Sequence, residues 1–64
     1  LHIRIEDYAS TRIKILNMLG EQLINSTPVS PENAYDLSGL PDGVFMVIIE
    51  KNRKVLHRSK IVKL

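Results

Sequence analysis

The sequence predicts an all-β fold, a small two-sheet antiparallel sandwich of about six to seven short strands. Three observations carry this expectation. Apolar and polar residues alternate with a period of two at Leu1–Glu6 and again at Arg12–Ile15, the signature of half-buried strands. Of the 28 hydrophobic residues, 21 are Leu, Ile or Val and only two are alanine, a composition that suits strands better than helices. Turn residues recur at close spacing: Gly20, Pro28, Pro31, Gly39 and Pro41-Asp42-Gly43, too densely for any long helix.

The elements follow in order. Leu1, Ile3 and Ile5 share one face of a first strand, with His2, Arg4 and Glu6 on the other. Asp7 to Thr11 is a polar connection. Ile13 and Ile15 share a face of the second strand, but Leu16, Met18 and Leu19 break the parity, which predicts a bulge or tight turn over Asn17–Gly20 with a positive φ at Gly20. Glu21 to Asn25 reads as the return strand. Two prolines within Pro28–Pro31 exclude a central strand and make Ser26–Asn33 a loop. Ala34 to Leu37 is then a brief strand. Leu40-Pro41-Asp42-Gly43 suits a type I turn, with Pro at the second position and Gly at the fourth. Val44 to Glu50 is the most hydrophobic stretch and is expected to be central and buried on both faces. Lys51-Asn52-Arg53 is a hairpin connection, and Lys54 to Leu64 forms a final strand or a broken pair, since it exceeds the usual length of about 5–6 residues.

At 64 residues the chain is one domain that buries only about 60% of its unfolded surface. It has no cysteine, and its two histidines, His2 and His57, are too few for a structural zinc site, so the apolar core must hold the fold. No stretch approaches the ~20 apolar residues of a membrane helix, which predicts no stable membrane insertion. The chain opens on Leu1 and reads as a piece of a longer precursor. The net charge of +2 hides an asymmetry: residues 1–50 carry a formal −4, and residues 51–64 carry +6 with no acid. The last segment is therefore a basic strand, suited either to meeting an acidic partner, a nucleic acid or an anionic lipid, or to protecting an exposed edge.

Asp36-Leu37-Ser38-Gly39-Leu40-Pro41-Asp42-Gly43-Val44-Phe45-Met46-Val47, the upstream Ile13–Gly20 element and the closing Lys60-Ile61-Val62-Lys63 together resemble the type IX secretion C-terminal sorting domain of Bacteroidetes. In that family a segment of the form LSGLP-x-G-[VI]-[YF] follows a strand ending in glycine and precedes a terminal K-[IV]-[IV]-K strand. The order and spacing match over essentially the whole chain. Phe45 stands where the family more often has Tyr, and the family's opening Asn-Pro segment is absent. The residues that carry the resemblance are Gly20, Asp36, Leu37, Ser38, Leu40, Pro41, Gly43, Phe45, Lys60, Ile61, Val62, Lys63 and the terminal Leu64.

The resemblance implies an immunoglobulin-like sandwich attached to an N-terminal cargo domain. It implies that a secretion-system receptor, a translocon and a surface sortase are partners, and that the route runs through the periplasm to the cell surface or the medium. Main-chain pairing along the last strand, with Lys60 and Lys63 choosing the partner, is the expected mode of recognition. When isolated, such a domain is prone to homodimerise by edge pairing or strand swapping. The alternative is a generic immunoglobulin-like spacer or adhesion domain.

Other readings are weaker. Asp36, Ser38 and His57 invite assembly into a triad, but nucleophilic catalysis needs an oriented base and an oxyanion hole, for which a domain this small has little room. Short Asp and Ser side chains instead bond nearby backbone N–H groups at turns. No cofactor and no metal ligand set is expected. With Tyr8, Tyr35 and Phe45 as the only aromatics, the chain lacks a stacking platform for nucleic acid. Asn25-Ser26-Thr27 matches the glycosylation pattern by chance.

Overall fold

In a computed structural model describing residues 1–64, every regular element is a strand. These are β1 (His2–Arg4), β2 (Thr11–Asn17), β3 (Gln22–Ser26), β4 (Glu32–Ala34), β5 (Gly43–Lys51) and β6 (Lys54–Lys63). β1 and β4 form a two-stranded sheet, and the others a four-stranded sheet of order β3-β2-β5-β6. All pairings are antiparallel. The two sheets close on one core, as expected of a small β-sandwich.

Alternation decides what the core contains. In β2, Thr11, Ile13 and Ile15 are buried, and Arg12 between them is exposed. Val47 in β5, directly opposite Ile15, and Phe45, two residues before it on the same face, complete a four-residue apolar centre with Ile13 and Ile15. Ile3 and Ile5 pack onto it from the small sheet, Ile24 from β3 and Ile61 from β6. Burying each such side chain contributes roughly 1.5–3 kcal/mol, which is how so short a chain can hold together without a disulfide. Thr11 is the buried polar member; its hydroxyl donates to the Asp7 and Ala9 carbonyls at 3.4 and 3.3 Å.

The β2–β3 turn is organised by Asn17, whose Oδ1 accepts the N–H groups of Leu19 and Glu21 at 3.0 and 2.9 Å. Gly20 has φ 86°, as its position predicts. A bulge follows, since Ile15 pairs with Ile24 but Leu16 with Gln22, leaving Leu23 as the extra residue. The β5–β6 hairpin turns on Asn52 and Arg53 at φ 51° and 68°, a pair of left-handed residues matched to strand twist.

Three expectations are corrected. The fourth strand lies at Glu32–Ala34, earlier than Ala34–Leu37, because pairing with β1 starts at Pro31 itself: its carbonyl accepts the Ile5 N–H at 2.8 Å. A proline lacks a donor but not an acceptor, and Asn33 Nδ2 holds the bend through the Ser30 carbonyl at 3.2 Å. The hydrogen-bonded turn is Leu37–Leu40, closed by Leu40 N–H to the Leu37 carbonyl at 3.0 Å, and Pro41-Asp42 is a bend leading into β5. β5 is central but buried on one face only: Phe45 and Val47 face the core, and Val44, Met46 and Ile48 lie half-buried on the outside, because the small sheet covers a single side. Of the two readings of the last segment, the single strand holds: β6 runs unbroken, accommodated by a bulge at Leu56, since Ile49 pairs with His57 and Glu50 with Val55.

Candidate recognition surface

The Asp36–Phe45 segment runs from the small sheet to the large one, and its apolar side chains do packing work. Leu37, Leu40 and Phe45 all join the core, while Ser38, Gly39, Pro41 and Asp42 are exposed. Asp36 fixes the corner, its Oδ1 accepting the Ser38 N–H at 2.9 Å. The Ser38 hydroxyl and this N–H together hold the Asp36 carboxyl below its ordinary value. Gly43 enters the ladder at φ 151°, in a region open to glycine and unfavourable to other residues.

The register brings the separate motif segments together. Gly43 pairs with Lys63, Val44 with Val62 and Phe45 with Ile61, while on the other flank Asn17 pairs with Phe45. The Asn17–Gly20 turn, the start of β5 and the end of β6 thus share one end of the four-stranded sheet. Lys63 Nζ stands 3.5 Å from Asp42 Oδ1, linking the C-terminal strand to the loop before β5. Ile61 packs on the core, whereas Val62, one residue on, is 64% exposed. Lys60 is exposed on the face of Val62, and Leu64 is almost fully exposed.

β6 is an edge strand, so one row of its backbone groups is free for a further strand. Its outward face places Val62 beside Val44, Lys60 beside Met46 and Arg58 beside Ile48. An apolar strip bordered by cations results. Of the basic residues after Glu50, Lys51 pairs with Asp7 at 3.0 Å and Lys63 with Asp42, while Arg53, Lys54, Arg58 and Lys60 have no carboxylate partner within 4.0 Å.

Sequence reasoning missed two features. Met18 and Leu19 project at the tip of the β2–β3 turn, 63% and 86% exposed; their break in parity signalled a turn, but not that both would lie in solvent. His2 and His57, 55 residues apart, line one groove between β1 and the inner face of β5 and β6. Asp36 and Ser38 lie elsewhere, and no hydrogen bond joins either to His57.

A family model described as the secretion system C-terminal sorting domain matches residues 1–63. No curated protein and no solved structure matches the chain.

Proposed function

The chain belongs to the secretion system C-terminal sorting domain family, and on that premise we propose that its last strand and the sheet end it completes are the surface read by the type IX export machinery. The family implies an exported protein, a cargo joined to this domain and contact with secretion components. The domain acts by being recognised rather than by chemistry. A receptor strand pairs along the free edge of β6, and Lys60 and Val62, together with the neighbouring Met46 and Val44, select the partner. The cargo is N-terminal to the domain, passes through the periplasm and reaches the surface through the translocon, where a sortase releases it from the signal.

The observation that carries this reading is the convergence of the Gly20 turn, the Gly43–Phe45 entry and the Ile61–Lys63 exit on one sheet end. A motif that only stabilised the fold would have no need for the exposed Val62 and Lys60 beside it. The test fuses the domain, behind a reporter bearing a signal peptide, in a type IX-competent host. Export with the intact domain is expected, and loss of export on Lys60→Glu or Val62→Asp at unchanged thermal stability. Retention of the intact fusion favours a generic spacer or adhesion domain and refutes the sorting role; normal export of both variants refutes the role of β6.

A further inference from the structure

The opposite end of the four-stranded sheet holds a second surface, which the export reading does not use. The only three non-glycine residues with positive φ, Ser10 (57°), Asn52 (51°) and Arg53 (68°), all line one cleft of about 400 Å³ there. The Asn52 N–H to the Ser10 carbonyl, 3.1 Å, ties its two loops together. Eight residues line the cleft and none is apolar.

Its charges do not balance. Arg12, Lys14 and Arg53 face Glu50 alone. Arg12 lies directly opposite Glu50 in the β2–β5 register, yet the carboxylate is engaged by Lys14, 2.6 Å from Oε1. Arg12 and Arg53 therefore have no carboxylate within 4.0 Å. Cations held in one cleft repel one another, and an entering anion relieves that repulsion. A guanidinium presents its donors as a planar fork that matches the oxygens of a phosphate. Ser10, Thr27 and Asn52 add neutral polar groups around the two arginines.

We propose that this cleft binds a phosphate group, gripped by Arg12 and Arg53, either free or as the monoester of a saccharide. The lining suits a ligand that is hydrophilic on every side, and the volume leaves room for sugar hydroxyls beyond the phosphate. The site stands apart from the export reading, and each can fail without the other.

The test is a backbone-amide NMR titration of the 64-residue chain with inorganic phosphate, glucose 1-phosphate and sodium acetate at matched ionic strength. Saturable shifts confined to residues near 10–14, 27 and 50–53 are expected with both phosphates. Arg12→Gln and Arg53→Gln should each weaken binding at least tenfold, and Arg58→Gln, outside the cleft, less than twofold. Tighter binding of glucose 1-phosphate identifies the esterified source, and equal affinities the free ion. Unsaturable shifts spread over Arg58 and Lys60, affinities unchanged by Arg12→Gln in a chain that keeps its folded spectrum, or acetate binding as tightly as phosphate would each overturn the proposal, the last pointing to an acidic protein partner instead.

Discussion

Phe45 and Ile61 are direct partners across the β5–β6 ladder, and this contact ties the last strand into the core. Phe45 is 3% exposed, and Ile61 packs against the same cluster. Ile61→Ala is therefore expected to cost about 2 kcal/mol, the low end for truncating a large aliphatic side chain because Ile61 is only half-buried. Val62→Ala, one residue on and pointing outward, should stay within about 0.5 kcal/mol. Urea unfolding of both variants checks the pair; equal losses would show that the alternation along β6 does not govern its attachment.

Gly43 tests backbone strain without steric conflict. A Cβ built there meets nothing within 4 Å, yet φ is 151°. Gly43→Ala and Gly43→Val should both destabilise, by about 1–3 kcal/mol, from conformation alone. The same denaturation experiment reads this, and a fully stable valine variant would mean that the chain reaches β5 by another path.

The Tyr35 hydroxyl is buried without a hydrogen-bond partner, although the ring packs on the core. A buried unsatisfied hydroxyl costs about 1–3 kcal/mol. Tyr35→Phe removes the cost and keeps the ring, so stability should rise by about 1 kcal/mol, or ~4–8 °C in Tm for a domain of this size. A lower Tm would reveal a partner for the hydroxyl in solution.

Asp36 supplies a pH dependence. The Ser38 hydroxyl and N–H stabilise its carboxylate and hold its pKa below the ordinary value. A carboxyl whose folded pKa is depressed adds stability that is present above the unfolded pKa and lost as pH falls through the folded one. The corner before β5 should therefore loosen only in acid, below the usual carboxylate range. Side-chain NMR titration should find Asp36 depressed in the wild type and moved upward in Ser38→Ala; an unchanged titration would remove Ser38 as the cause.

The face that β1 and β2 turn to the core could be read from their residues alone. Ile3 and Ile5, and Ile13 and Ile15, lie as their alternation requires, and Ile61 and Val62 take opposite faces, because side-chain direction along an extended chain is a local property of period two; that Ile61 is the inward one follows from its packing on the core. Gly20 and the Asp36–Ser38 corner were legible for a similar reason, since positive φ and side-chain capping are settled within a few residues. Which segments meet is settled only by the assembled fold. The Asn17–Gly20 turn, Gly43–Phe45 and Ile61–Lys63 share one sheet end, Arg12 and Arg53 share the other, His2 and His57 share a groove, and β5 keeps one face open. These relationships depend on strand order and register, which are fixed by burying all the apolar faces together. The periodicity of one strand names its buried face but not the strand that will lie beside it.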